Sequence, residues 1–251
     1  MMTLSATLRQ RAYHIDVSNL IVIPWRPAPS RQDAFMRVVD WYQRMLPEFR
    51  IVTRDTDDEL FALARTRNLA AASADADDVV VISDADTFPE PGPLRAAVAE
   101  AAQSGRVQLP YTAYRWLGPQ GSAQFAEGVA PADCDYELVH NACSGVYVTT
   151  RRSWESHGGQ DERFRGWGFE DTAWYAAHET LIGAPPQRHE GRVYALHHAV
   201  EARTGLVYDR NAKLMERYLI AAGNREAMTR LVAEGQAARA PHGGPGLLRV
   251  R

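Results

Sequence analysis

The sequence predicts an α/β fold in which a single doubly wound, Rossmann-like mixed sheet is flanked by helices, with a short helical C-terminal extension. Short apolar runs of strand length, such as residues 20–23 and 79–82, alternate with segments of helical periodicity. With 251 residues, 45% of them hydrophobic, the chain is long enough for one sizeable core and short for two full domains. Ligands of such folds bind beyond the carboxyl ends of the strands, so the residues that follow each strand are the first candidates for function.

The N-terminal part of the chain alternates between strands and helices. Pro24 ends the first apolar run, and Ser30 followed three positions later by Asp33 is typical of a capping box at the start of a helix. Asp57 is placed to cap a second helix that continues into the alanine-rich residues 70–74. The predicted strands of this part are 20–26, 51–53 and 79–82. This alternation is typical of a nucleotide-binding half.

The remainder of the chain continues the alternation and then becomes helical. The predicted elements are a helix at 93–103, strands at 107–109 and 145–149, and helices at 211–222 and 225–236. Between the two strands, residues 117–135 are rich in Gly, Pro, Ala and Asp, which predicts a long loop. From residue 237 onward the chain is a tail rich in Gly and Pro.

Charge and composition exclude some classes of function. A net charge of −3 provides no global field for a polyanion, so nucleic-acid binding is unsupported. The chain has neither an apolar run near the roughly 20 residues that a membrane helix needs nor the continuous apolar stretch of a signal peptide. We therefore expect a cytoplasmic protein without a membrane segment. Its two cysteines, Cys134 and Cys143, are then expected to be free thiols.

Two carboxylates follow the third predicted strand, in the segment VVVISDADTF at 79–88. In an extended segment Asp84 and Asp86 point to the same side, where they repel each other unless a divalent cation bridges them to a diphosphate. Hard cations prefer such oxygen ligands. The competing interpretation is a helix cap followed by a turn residue, which this motif alone does not exclude.

A second segment, GGQDERFRGWGFEDTAW at 158–174, combines tight backbone, aromatic rings and acids. Trp167 and Phe169 offer flat apolar faces, and Glu170 and Asp171 begin a predicted helix. Aromatic faces beside carboxylates are suited to binding carbohydrate. In the competing interpretation the two acids only complement the N-terminus of the helix, and Trp167 packs in the core.

A third segment, VYALHH at 193–198, is a short strand-like run that ends in two histidines. A neutral imidazole is suited to complete an oxygen-rich coordination sphere around Mn²⁺. The competing interpretation is that His197 and His198 are ordinary polar residues.

In their order and spacing these segments resemble the GT-A glycosyltransferases, especially the family 2 enzymes and the C-terminal region of the β-1,4-galactosyltransferases and polypeptide N-acetylgalactosaminyltransferases. The resemblance spans residues 18–200: LIVIPWR resembles the opening strand, RNLAAASADADDVVVISDAD the Arg-Asn helix and D-x-D strand, and GGQDERFRGWGFED the G-W-G-x-E-D segment. It implies a GT-A catalytic domain at 1–207, with a nucleotide-binding half at 18–110 and an acceptor half at 111–207, followed by helices and a tail at 208–251.

The resemblance also implies roles for individual residues. The residues implied to bind the nucleotide are Pro24, Arg26, Asp55, Arg67, Asn68 and Asp84. The residues implied to bind the sugar are Trp167, Gly168, Phe169 and Glu170. Asp171 is the implied catalytic base, and Asp86 and His198 are the implied ligands of Mn²⁺ or Mg²⁺. The histidine segment departs from the family's H-L-x-H ending, because Ala195 replaces the first histidine and His197 is an extra one, so His197 stays open as the alternate ligand.

The activity implied is metal-dependent transfer of a sugar from a nucleotide-diphosphate donor, expected to be a UDP-sugar, to an acceptor hydroxyl with inversion of the anomeric carbon. The acceptor is left open among a glycan, a protein side chain, a lipid-linked sugar and a modified nucleobase. Two rival functions remain. A nucleotidyltransferase also uses a metal-binding carboxylate pair on a doubly wound sheet, and a sugar- or nucleotide-binding module without catalysis would account for the irregular histidine ending.

Overall fold

The computed structural model of the chain describes residues 20–199, 204–239 and 248–250, so most of the predicted tail lies outside the described residues. The strands are β1 (Leu20–Pro24), β2 (Arg50–Arg54), β3 (Val79–Ser83), β4 (Thr87–Pro89), β5 (Gln108–Leu109), β6 (Ala113–Trp116), β7 (Glu137–Val139), β8 (Val146–Thr150), β9 (Gln187–Arg188), β10 (Arg192–Ala195) and β11 (Leu248–Arg249). The helices are α1 (Gln32–Met45), α2 (Leu63–Ala71), α3 (Pro91–Ser104), α4 (Gly118–Ala126), α5 (Arg151–Ser156), α6 (Glu170–Ile182), α7 (Leu206–Ala221) and α8 (Arg225–Ala237).

The central sheet is mixed and has the strand order β11-β2-β1-β3-β8-β5-β9. Val22 of β1 pairs with Val52 of β2 on one side and with Ile82 of β3 on the other, so these three parallel strands end at the same edge. β8 runs antiparallel to β3. Every residue of β1, β3 and β8 is buried, which is the pattern of strands covered on both faces. The predicted α/β class with a mixed central sheet flanked by helices is confirmed.

The prediction of a single sheet was incomplete, because a second sheet has the order β4-β10-β6-β7. Its strands are only three or four residues long. Runs this short carry too little periodicity to be recognised in the sequence. Thr87 of β4 pairs with Ala195 of β10, so the segment that follows β3 meets the segment that ends in the two histidines.

Two predicted helix starts in the N-terminal part were wrong. The capping position of α1 is Arg31, one residue beyond Ser30. The buried face of the helix stabilises it instead, and from this face Tyr42 donates a hydrogen bond to Ser83 Oγ at 2.9 Å. α2 begins at Leu63, so Asp57 does not cap it; the Asp57 carboxylate lies 3.3 Å from the Arg65 guanidinium. Tertiary contacts outweighed the local capping signals at both positions.

The predicted long loop at 117–135 contains a helix, α4. Gly and Pro suggested a loop, yet here Pro119 occupies the first turn of the helix, where its fixed φ is favourable. Gly121 lies inside the helix, and this position requires glycine, because a Cβ there would lie 1.9 Å from the carbonyl oxygen of Asp135. The same segment holds Cys134, and this thiol and that of Cys143 are both free, as predicted.

The C-terminal helices α7 and α8 pack on α6 through a second apolar cluster, which includes Phe164, Met215, Tyr218, Met228 and Leu231. Both helices were predicted, although α7 begins at Leu206 and not at residue 211. Among the described residues, each helix is too short or too polar to cross a membrane.

Two histidines are buried in the aromatic core beside Trp154 and Trp174. The ring centroids of His157 and His178 lie 5.0 Å apart, and neither ring nitrogen of His157 has a hydrogen-bond partner among the described residues. Burial lowers the pKa of His157 far below its ordinary value, and burial also lowers the pKa of His178 to about 4. Both side chains are therefore neutral in the folded protein at neutral pH.

We expect this pair to make folding sensitive to mild acid. The free energy of unfolding has its full value above pH 6.5, the ordinary pKa of histidine in an unfolded chain. It falls as the pH drops from there toward 4, because the histidines take up protons in the unfolded chain but not in the folded protein. The His178 contribution is about 3 kcal/mol by the ~1.4 kcal/mol equivalence of one pKa unit. Denaturant unfolding between pH 7 and 4.5 should show a smaller loss for His178→Gln than for the wild type, with His140→Gln, at an exposed position, as the control. Equal losses in all three proteins would refute this origin.

Candidate active site

The chain turns tightly where β3 leaves the central sheet and β4 enters the second one. The Asp84 N–H donates to the Gly145 carbonyl at 2.7 Å, and the Thr87 N–H donates to the Asp84 carbonyl at 3.2 Å. The segment predicted to be extended is therefore a turn. The two carboxylates nevertheless lie close together, because the charge of Asp86 adds to the burial that raises the pKa of Asp84.

Asp86 lies against the histidine segment. Asp86 Oδ2 is 2.9 Å from His198 Nε2, and the Leu196 N–H donates to the Asp86 carbonyl at 2.8 Å. His198 Nδ1 lies 2.8 Å from the Ala199 carbonyl, which only accepts, so Nδ1 carries the proton of this hydrogen bond. The Asp86 carboxylate accepts a hydrogen bond from the protonated His198 ring, which raises the pKa of His198. His197 is exposed, and its ring is 6.0 Å from the Trp116 ring.

Asp84 is held by a buried guanidinium. Arg67, which is 1% exposed, donates from Nη2 to both Asp84 carboxylate oxygens at 2.7 Å. Arg67 Nη1 reaches Gln160 Oε1 at 3.1 Å and Glu170 Oε1 at 3.4 Å, and its guanidinium lies 5.1 Å from the centre of the Tyr147 ring. A single side chain therefore connects the end of β3 with the start of α6.

Glu170 and Asp171 form the first turn of α6, as predicted. Burial raises the pKa of Glu170 to about 7, and the charge of Asp171 acts in the same direction, while Arg67 opposes both. Asp171 is half-buried, and its Oδ1 accepts from the Thr172 N–H at 2.8 Å. The negative charges of Asp84 and Asp171 both act on Glu170, so these acids share one region.

A cavity of about 560 Å³ lies beside this turn of α6. It is lined by residues 111–114 and 138–143 and by Thr172, Tyr175 and Arg188. We refer to it as the α6 cavity. The charge of Asp171 acts on the lining residues Cys143 and Tyr111, so the Asp171 carboxylate lies at the border of the cavity. Its volume is within the range of about 300–1,000 Å³ that small-molecule sites occupy.

The architecture is similar to that of a solved glycosyltransferase structure. The catalytic domain of Drosophila β1,4-galactosyltransferase 7 in complex with xylobiose is similar over 77% of this chain and 78% of that chain, with a TM-score of 0.51 and 16% identity. The chain has the GT-A glycosyltransferase fold. No family model and no curated protein sequence matches it.

Two further structures show more distant likenesses to this GT-A chain. A mutant of the Drosophila enzyme in complex with manganese, UDP-Gal and xylobiose has a TM-score of 0.46 and 18% identity over 67% of this chain and 63% of that chain. GalNAc-T7 with UDP, GalNAc and Mn²⁺ has a TM-score of 0.49 and 10% identity over 87% of this chain and 55% of that chain. The chain spans less than two thirds of the length of both.

The GT-A chain offers a two-residue donor set for a cation. Within the described residues, no group of three or more His, Cys, Asp or Glu side chains is placed to hold a metal ion. Asp86 and His198 meet at 2.9 Å. Because Nδ1 keeps its proton for the Ala199 carbonyl, Nε2 is the nitrogen that would give up its proton to a cation and bind it. A mixed oxygen and nitrogen set suits Mn²⁺ better than Mg²⁺, which takes oxygen ligands.

The residues expected at the nucleotide occupy the same edge of the sheet. Pro24 ends β1, and Arg26 Nε donates to Asp55 Oδ2 at 2.9 Å. Arg26 also donates to backbone carbonyls of residues 56, 58 and 59, so it fixes the segment that follows β2. Asn68 is buried; its Oδ1 accepts from Trp154 Nε1 and the Gln160 N–H, each at 2.9 Å. Asn68 thereby holds the segment that precedes the G-W-G residues.

The predicted sugar-binding residues form a strained turn before α6. Gly168 has φ 103°, and Phe169, in the capping position of α6, has φ 76°, a left-handed conformation that is rare for an aromatic residue. Trp167 is half-buried, and its ring stacks on that of Tyr208 with 6.4 Å between centroids.

Two residues of α7 hold this turn, and no local sequence signal points to either of them. Asn211, which is 2% exposed, donates from Nδ2 to the Arg165 carbonyl at 2.7 Å and approaches the carbonyls of Trp167 and Gly168 at 3.4 Å. Tyr208 contacts the rings on both sides of Gly168. A single Asn in an amphipathic helix resembles any other polar residue, so only its burial reveals this role.

We expect Asn211→Ala to loosen residues 165–169. The substitution leaves buried carbonyls without their donor, which costs about 1–3 kcal/mol. Hydrogen exchange should accelerate in this turn, and denaturant unfolding should give the loss of stability. Asn224→Ala, which removes the cap at the start of α8, should lower stability without faster exchange at 165–169. Unchanged exchange in Asn211→Ala would remove Asn211 from this role.

Proposed function

We propose that this chain is a metal-dependent glycosyltransferase that moves a sugar from a nucleotide-diphosphate donor, a UDP-sugar by its sequence resemblance, to an acceptor hydroxyl with inversion. The observation that carries the proposal is the contact of Asp86 with His198 at 2.9 Å, in a GT-A fold whose α6 begins with Glu170 and Asp171. Sequence segments far apart in the chain supply these groups, and only this fold brings them together.

Asp86 and His198 would hold the cation. His198 is preferred over His197, because its Nε2 faces the Asp86 carboxylate while the His197 ring lies beside Trp116. A bound Mn²⁺ would supply Lewis-acid stabilisation of the charge that develops on the leaving diphosphate. In this proposal Asp84 contacts the nucleoside, and Arg67 keeps its carboxylate oriented. Pro24, Arg26, Asp55 and Asn68 shape the remaining walls of the nucleotide site.

Asp171 would be the base. Its carboxylate is half-buried at the border of the α6 cavity, where an acceptor can enter. It would take the proton of the acceptor hydroxyl while that oxygen attacks the anomeric carbon and the bond from that carbon to the diphosphate breaks. A direct displacement of this kind inverts the anomeric carbon.

Glu170 would bind the sugar rather than accept the proton. It is 8% exposed and lies 3.4 Å from Arg67, so it is fixed at the inner side of the turn. Because burial raises its pKa, its carboxyl group is protonated more readily than that of an ordinary glutamate, and in the protonated form it can donate as well as accept a hydrogen bond to a sugar hydroxyl. Trp167, Gly168 and Phe169 would complete the sugar site.

Donor hydrolysis tests the metal site. The purified protein is incubated with UDP-, GDP- and dTDP-sugars, with Mn²⁺ or EDTA, and release of nucleoside diphosphate is measured. We expect release from one donor that requires Mn²⁺ and falls at least about 100-fold in Asp86→Asn, because a misplaced charge-stabilising ligand typically costs that much. Asp40→Asn, at an exposed residue of α1 paired with Arg44, is the matched control.

Other outcomes of the same assay separate the rival functions. Release of pyrophosphate from a nucleoside triphosphate would identify a nucleotidyltransferase. Binding of a donor without any turnover, measured by calorimetry, would identify a binding module. Turnover that is unaffected by EDTA and by Asp86→Asn would contradict the metal site.

A second substitution tests the base. Asp171→Asn keeps the Oδ1 that accepts from the Thr172 N–H and removes the proton acceptor. We expect the rate of transfer to an acceptor to fall about 10²- to 10⁴-fold, the usual contribution of a positioned base, with donor affinity unchanged. NMR of the anomeric proton of the wild-type product should show inversion. A near-normal rate in Asp171→Asn would remove Asp171 from this role.

A further inference from the structure

The lining of the α6 cavity includes an arginine. Among the described residues that line it, there is no aspartate or glutamate, and Arg188 supplies a guanidinium. Burial raises the pKa of the Cys143 thiol to about 12, and that of Tyr111 is raised further, so these lining groups are uncharged at neutral pH. A ligand inside the cavity therefore meets the positive charge of Arg188 on the lining and the negative charge of Asp171 at the border, which also acts on Cys143 and Tyr111.

Arg188 is held rigidly but is not neutralised. It belongs to β9, where it pairs with Leu109 of β5 in the central sheet. Its Nη2 donates to the Ala142 carbonyl at 2.6 Å, and its guanidinium lies 5.4 Å from the centre of the Tyr111 ring. Within the described part of the chain, no carboxylate lies within 4.0 Å of it. A half-buried guanidinium without an anionic partner is suited to bind an anion, for which its planar fork is well matched.

The other lining residues are suited to a sugar ring. Tyr114 and Tyr175 are half-buried aromatic residues of the wall, and Thr172 offers a hydroxyl. The Asp171 carboxylate borders the cavity beside Thr172, and Arg188 lies on β9, in a different wall. The charges of Asp171 and Arg188 both act on the Cys143 thiol. A sugar ring in the cavity that presents a hydroxyl to Asp171 can therefore present another substituent to Arg188.

We propose that the α6 cavity binds the acceptor and that this acceptor is a sugar unit with an anionic substituent, held by Arg188. This inference rests on the proposed function for the identity of the reaction, but the binding of an anionic sugar is measurable without turnover. The shared chemistry is an anion on a sugar ring, either the carboxylate of a uronic acid or a phosphate ester.

Saturation-transfer NMR and calorimetry would test it with glucuronate, galacturonate and glucose 6-phosphate beside neutral glucose and galactose, with and without UDP and Mn²⁺. We expect at least one anionic sugar to bind about 10- to 100-fold more tightly than its neutral parent, the range of a charged hydrogen bond. The carboxylate and phosphate arms distinguish the two sources. Equal binding of the charged and neutral sugars, or no binding under either condition, would overturn the proposal.

Variants assign the effect to Arg188. Arg188→Gln should remove the preference for the anion, and Arg188→Lys should weaken it; Arg152→Gln, at an exposed arginine paired with Asp77, should retain it. Val139 also lines the cavity and is 41% exposed. Val139→Glu should therefore weaken anion binding about tenfold, compared with Val139→Gln, without touching the contacts of Arg188. An unchanged preference in both Arg188→Gln and Val139→Glu would overturn the assignment.

The binding test of the anionic sugars and the donor-hydrolysis assay can succeed or fail independently. If donor hydrolysis fails while the anion preference and its loss in Arg188→Gln are observed, the proposed function is wrong and the anionic-sugar site stands. If donor hydrolysis succeeds and the anion preference is not observed, only the acceptor assignment is wrong.

Discussion

The buried guanidinium of Arg67 is the interaction on which the candidate site depends. It comes from α2, holds the Asp84 carboxylate at the end of β3, and reaches Gln160 and Glu170 before and within α6. A buried charge is costly unless paired, and loss of one partner typically costs about 3–5 kcal/mol. The segments that carry the acids are therefore fixed relative to one another by the need to satisfy this one group, which a lysine with its single ammonium could not do with the same geometry.

The pairing of β4 with β10 is the second constraint. The chain leaves the central sheet at Ser83, turns through Asp84–Asp86 and enters a different sheet at Thr87, whose partner is Ala195. This register brings Asp86 to His198, residues that are more than a hundred positions apart. Backbone hydrogen bonds, such as that from the Leu196 N–H to the Asp86 carbonyl, bring these two segments together. The approach of the segments therefore does not depend on the contact between the two side chains.

The sequence predicted the buried strands β1, β3 and β8 because continuous apolar runs are a strong local signal, and the run of β3 also placed Asp86 just beyond a strand. Glu170 was placed at the start of a helix by the apolar residues Trp174 and Ala177 that follow it. It failed where structure depends on distant partners. Ser30 and Asp57 are typical capping residues, but the helices begin elsewhere. The Gly and Pro residues of α4 predicted a loop, whereas Pro119 lies in the first turn of the helix and Gly121 permits close packing. Asn211 has no local signal, because its function arises from burial against residues 165–168.

The two sides of the candidate site, the turn after β3 and the α6 cavity, differ in charge. Around the turn after β3, Asp84, Asp86, Glu170 and Asp171 outnumber the guanidinium of Arg67, and the pKa of Glu170 is raised to about 7 as a result of burial and this excess. That side carries an excess of negative charge, which a divalent cation held by Asp86 and His198 would reduce. The lining of the α6 cavity differs, because among the described residues it contains Arg188 and no carboxylate. In the proposed function, the donor would therefore bind with its cation beside Asp86 and His198, and an anionic acceptor would bind in the α6 cavity beside Arg188.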